Sequence, residues 1–221
     1  MEKLSQGLEW LGRKIWILLR VFGFLMIFVI PDLILEESKS QPVLLITGLV
    51  TVGIVGFFWW RAEKNSLPVW DSKILSWDGM ALVILSFAIM QLTDMAGSFL
   101  LELQGAETTV NETLIMESLK GVPFWLAILT TAFLPAVGEE VMLRGYFFKK
   151  LFGHHAILGI IASSLLFGLL HGPTDIGSWL IYAGSGIILS TLYHKTGYLI
   201  YPIAVHFINN AWAVLAFYYF Q

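Results

Sequence analysis

Cysteine is missing from all 221 residues, which removes disulfides, thiolate metal sites, iron–sulfur clusters and thiol nucleophiles in a single step. Charge is scarce as well: Asp, Glu, Lys and Arg make up 13% of the chain, about half the share of an ordinary soluble domain. The net charge is −3 and no basic run is interleaved with aromatics, so nucleic acid is not an expected partner. Internal repeats and low-complexity segments are also lacking. No small-residue cleavage site follows the first apolar run, which therefore reads as a retained helix rather than a cleaved signal.

What fills the chain instead is apolar: 57% of residues are hydrophobic and the mean hydropathy is +0.76. Stretches long enough to cross roughly 30 Å of hydrocarbon recur along its length. Seven are read, at 15–35, 43–60, 80–101, 122–148, 156–172, 178–193 and 198–220. The expected fold is therefore all-α, a polytopic helical membrane protein of about seven spans with lipid as its surroundings.

Lysine and arginine set the expected orientation. With the N-terminus cytoplasmic, the inner side holds Lys3, Arg13, Lys14, Arg61, Lys64, Lys73, Lys149, Lys150 and Lys195, and the outer side holds Lys39 and Lys120. Nine against two places the N-terminus inside the cell membrane and the C-terminus outside. Trp59 and Trp60 beside Arg61 read as an interfacial belt.

The organisation changes near residue 120. Residues 1–120 hold three spans and their connectors, with one oddity: Asp94 lies within the third span, flanked by Gln91 and Thr93, and an intramembrane acid is costly. Residues 121–221 place polar groups in three separate spans: GEEVMLRG (138–145), FGLLH (167–171) and HFINN (206–210). Counting about 1.5 Å per residue from the cytoplasmic turns, Glu139, His171, His206 and Asn210 all reach roughly mid-membrane. Glu140 and Arg144 are four apart and can pair along one helix, whereas the adjacent Glu139 points elsewhere. The pair reads as structural support and Glu139 as the chemical group. His206 and Asn210 share a face, where a ring N–H and an amide could be aimed at one point. Pro135 and Pro202 each remove a backbone N–H one turn before Glu139 and His206, which suggests a wet cavity between spans four, five and seven. Gly184, Ser185 and Gly186 would let span six pack closely. His154, His155 and His194 read as interfacial groups at helix ends.

These three motifs, in this order, resemble the CAAX protease and bacteriocin-processing family of intramembrane proteases, related to the type II CAAX prenyl endopeptidases. That family carries Glu-Glu-x-x-x-Arg, Phe-x-x-x-His and His-x-x-x-Asn on successive core helices. The resemblance covers the chain after residue 120. It implies a glutamate-dependent peptidase with a conical intramembrane cavity, in which Glu139 and His171 activate water while His206 and Asn210 form an oxyanion hole. It also implies metal-free chemistry, a peptide or protein substrate, and a role in peptide maturation or immunity. Two alternatives stay open. Glu139, His171 and His206 are a permissible three-ligand zinc set, and the same core could be a non-catalytic scaffold regulating a membrane partner. A proton-coupled transporter is less favoured, because no inverted repeat with paired interrupted helices is present.

Overall fold

The computed structural model describes residues 2–153 and 155–220, which are helical almost throughout with no strand among them. His154 lies outside the described residues. Helix α1 (Glu2–Phe28) gives way at Val29 to α2 (Ile30–Glu37), whose Pro31 sits in the first turn, where a missing N–H breaks no bond. Helix α3 (Gln41–Lys64) returns, and a short turn at Ser72–Leu75 leads into α4 (Trp77–Leu103), capped by the Ser76 hydroxyl on the Gly79 N–H at 3.1 Å. The connector that follows forms a short helix, α5 (Val110–Leu119), capped by Thr109. Four further helices complete the chain: α6 (Phe124–Phe152), α7 (Ala156–Leu170), α8 (Ile176–Thr196) and α9 (Ile200–Tyr219). Asp175 and Ser178 form a reciprocal capping box at the start of α8. Gly197, at φ 77°, ends that helix in the left-handed conformation glycine adopts without strain.

Six helical stretches are long and apolar enough to span a membrane, and α7 is a shorter apolar helix beside them. Together they account for the seven stretches read from the sequence. Their outer surfaces carry large apolar side chains, such as Leu49 and Ile157 at 74% exposure, so the solvent that fits this surface is lipid. Trp60 lies under Lys64 and Arg61, 4.9 and 5.6 Å from its ring centre, as an interfacial aromatic would.

Helix α6 is the inner element. Its most apolar window is 67% buried, against 44% for α8, the next most enclosed. It is not α-helical throughout: wider π-type turns run over Ile128–Phe133 and Glu140–Phe152, with α-helical turns between them at Leu134–Glu139. The change of turn type thus falls between the two adjacent glutamates. Such turns are rare and concentrate at functional sites. The two prolines behave differently from each other. Pro135 lies inside α6 and has no N–H for the Thr131 carbonyl, which instead accepts from Asn210 Nδ2 at 3.2 Å. Pro202, expected to interrupt its helix, is the third residue of α9, within the first turn where no intrahelical donor is needed.

Helix α8 is held closely by glycines on two sides. A Cβ on Gly186 would meet Ser164 Cα of α7 at 2.8 Å, and one on Gly177 would meet the Gly97 carbonyl of α4 at 2.6 Å. Backbone atoms cannot step aside as a flexible side chain can. Gly177→Ala is therefore expected to push α4 from α8 and destabilise the protein by about 1–3 kcal/mol, read by thermal unfolding of purified protein in detergent. An unchanged unfolding midpoint would contradict this close approach.

Candidate functional site

Glu140 and Arg144 are fully buried, and Arg144 Nη1 donates to Glu140 Oε1 at 2.8 Å. A buried ion pair needs more than its own attraction to offset lost hydration. Arg144 finds it in the Gly186 carbonyl, 3.1 Å from Nη2, and in the Phe167 ring, whose centre lies 4.9 Å from Cζ. Glu140 takes a third partner that helical spacing alone did not suggest: His206 Nδ1 lies 3.0 Å from the same Oε1. The supporting pair is thus a triad of α6 and α9, tied to α8 through Gly186.

The imidazole tautomers follow from these partners. Because the carboxylate oxygen accepts, His206 carries its proton on Nδ1 and leaves Nε2 for other work. His171, the residue that caps the end of α7, has Nδ1 2.7 Å from the Phe167 carbonyl. A carbonyl only accepts, so His171 also carries hydrogen on Nδ1, and in the neutral ring Nε2 holds a lone pair.

Phe167 is the hub of the aromatic packing. Its ring lies 4.6 Å from His171 and edge-on to His206 at 5.6 Å, while the far face of His171 stacks on Tyr182 at 4.4 Å and 18°. Tyr182 is anchored in turn by its hydroxyl, 2.6 Å from Thr109 Oγ1 and 3.4 Å from Asn111 Nδ2. The connector between α4 and α6 therefore reaches down to hold the wall of the site.

These groups enclose a cavity of about 70 Å³ lined by Asp94, His171, Tyr182, His206, Asn209 and Asn210 among others. That is room for a few water molecules, each needing about 10–15 Å³ on this measure. Its position keeps spans five and seven of the expected cavity but corrects the part given to span four. The walls come from α4, α7, α8 and α9, and α6 contributes none of the lining residues, because it is the enclosed element and faces its partners rather than the cavity.

Three of the four sequence-derived candidates, His171, His206 and Asn210, meet on this wall. Glu139 does not line it. It is half-buried one residue from Glu140, with Oε2 buried and lacking a hydrogen-bond partner. The two donors expected to converge are engaged separately, His206 Nδ1 by Glu140 and Asn210 Nδ2 by the carbonyl that Pro135 leaves without a helical donor. Among the described residues no group of three or more His, Asp or Glu side chains is gathered as a metal site would be.

Sequence reasoning missed Tyr182 and Asn209. A tyrosine inside an apolar span must find a partner for its hydroxyl, and that was the available signal. Asn209, next to the motif asparagine, accepts from Gln91 Nε2 at 2.7 Å and joins α4 to α9.

Known sequences resemble this one in the same region. The Rce1-like family, described as type II CAAX prenyl endopeptidase Rce1-like, matches residues 121–212. The UPF0177 protein YvdC of Lactococcus lactis subsp. lactis (strain IL1403) is 30% identical over 135 residues, 60% of this chain and 51% of that protein. The membrane-embedded CAAX protease MroQ of Staphylococcus aureus (strain USA300) is 27% identical over 186 residues, 79% of this chain and 72% of that one. The chain thus spans about half the length of the first of these relatives. No solved structure matches it significantly. All three motifs fall inside residues 121–212, and it is over that region that this multi-pass membrane protein is similar to the type II CAAX prenyl endopeptidase Rce1-like family.

Proposed function

We propose that the chain is an intramembrane endopeptidase that hydrolyses a peptide bond of a membrane-associated or small peptide substrate, with water as nucleophile. The observation that carries this reading is the meeting of His171, His206 and Asn210 on one polar cavity, in a core where a Glu139 carboxylate oxygen is buried without a hydrogen-bond partner. The description of MroQ as a membrane-embedded CAAX protease supports it.

Glu139 takes a proton from water, and His171 Nε2, not engaged by the Phe167 carbonyl, orients that water or carries the proton onward. Attack on the peptide carbonyl generates an oxyanion, which Asn210 and His206 stabilise as fixed donors in a low-dielectric site. Since His206 turns Nδ1–H to Glu140, it can donate to the oxyanion only from Nε2, when that nitrogen too carries hydrogen. The departing amine receives its proton from Glu139 or His171. The nine-to-two bias of lysine and arginine supports a cytoplasmic N-terminus and an external C-terminus in the cell membrane.

Every step above uses side chains alone. Purified protein is therefore expected to keep its full rate of peptide cleavage after stringent chelation, with metal content checked by elemental analysis. Loss of activity that added zinc restores would move the reading to a metallopeptidase. The substrate itself is best sought by mass spectrometry of small membrane and secreted peptides, comparing cells with the native protein and with Glu139→Gln.

A further inference from the structure

Helix α4 brings into the cavity a carboxylate for which the chemistry above has no use. Asp94 lines the wall together with His171, Tyr182 and Asn209. Its Oδ1 is buried without a hydrogen-bond partner, and none of the ion pairs among the described residues includes it. Arg144, the cation buried in the core beneath, is already engaged by Glu140 and the Gly186 carbonyl.

The side chain is held where it is. One residue before it, Thr93 packs so closely on α8 that a Cβ on Gly184 would meet its Cγ2 at 2.5 Å. Three residues after it, Gly97 abuts Gly177, and one turn before it Gln91 is bonded to Asn209. Packing of this kind keeps the carboxylate turned toward the cavity rather than free to reach an aqueous boundary. A carboxylate at membrane depth calls for a cation or a proton to offset its charge.

The connector bonded to the Tyr182 wall of the cavity is also acidic. The connector 102–120 carries Glu102, Glu107, Glu112 and Glu117. Its helix α5, which carries Glu112 in its first turn, meets the cavity wall where its capping residue Thr109 bonds Tyr182. Charges of one sign leading into a cleft with low-dielectric walls draw in the opposite sign.

We propose that Asp94 is a recognition carboxylate for a cationic side chain, lysine or arginine, of the peptide substrate, which enters past Glu112 and places its backbone beside His171 and His206. This rests on the endopeptidase reading and gives it a substrate class: peptides with a basic residue close to the scissile bond. A cavity of about 70 Å³ suits the tip of one such side chain rather than a bulky group.

The test separates recognition from cleavage. Full-length protein carrying Glu139→Gln, in nanodiscs, is titrated with fluorescent peptides in which each position in turn holds lysine or its uncharged isostere norleucine. At one position the lysine peptide is expected to bind about tenfold more tightly, as a desolvated charge pair would give. In the same protein with Asp94→Asn that ratio should fall to about one, and with Asp94→Glu a preference for lysine should persist. No lysine preference at any position, or a preference that survives Asp94→Asn, overturns the proposal. If Asp94→Asn does not accumulate, Asp94→Ser is read in its place by the same criterion. Cleavage of the preferred peptide by the native protein is scored separately. Selective binding without any cleavage would defeat the endopeptidase reading while leaving the cation site standing.

Discussion

Glu139→Gln is expected to abolish peptide cleavage, by a factor of about 10²–10⁴ or more, while leaving the amount of protein in the membrane unchanged. Glutamine has the size and shape of glutamate but cannot take a proton from water. The substitution costs little in stability because Oε2, although buried, makes no hydrogen bond that an amide would lose, and Glu139 belongs to none of the ion pairs of the core. Cleavage is followed by mass spectrometry on purified protein, and abundance by quantitative blotting of membranes. Normal cleavage by well-folded Glu139→Gln protein would remove the proposed base. Full cellular function without any cleavage would point to the scaffold reading instead.

Arg144→Leu should fail in the opposite order, losing stability first. It strands Glu140 as a fully buried carboxylate with only His206 beside it, a loss of about 3–5 kcal/mol when one partner of a buried pair is removed. The triad is already under-satisfied, since Glu140 Oε2 and Arg144 Nε have no hydrogen-bond partner. For that reason the double change Glu140→Leu with Arg144→Leu is expected to recover much of the abundance, because it removes both charges from an apolar site. It should not recover cleavage, because His206 then has no acceptor at Nδ1 to fix its ring. Thermal unfolding in detergent and peptide cleavage, measured on the same preparations, distinguish the two effects. Recovery of both together would mean that Glu140 does not act through His206.

The seven apolar stretches were legible because a 30 Å hydrocarbon layer imposes a length on every span, and composition alone reveals it. Glu140 with Arg144, and Phe167 with His171, were legible because helix periodicity fixes neighbours within one helix. What connects different helices was not. The bond from His206 to Glu140 spans 66 residues and that from Asn210 to Thr131 spans 79, and no local pattern encodes such a pairing. The cavity does lie against spans five and seven, but spans three and six rather than span four complete it, and for the same reason: a motif shows which spans hold polar groups, but not which span is enclosed by the others. Asp94 was noticed as a cost in the membrane, yet only the fold brings it beside His171.

The brevity of α7 has a consequence for the membrane itself. Its fifteen residues extend about 22 Å, several ångströms less than a hydrocarbon layer of about 30 Å. Its outward face, with Ile157, Leu158, Ile161, Leu165 and Leu169, is apolar and exposed. Lipid meeting a hydrophobic belt that is too short must compress or tilt its chains to match, at a fraction of a kcal/mol for each ångström of mismatch. A bilayer that matches this belt would be thinner on the side where α7 ends at His171. There a peptide lying among the headgroups would have less hydrocarbon to pass through on its way to the imidazole than beside any longer span.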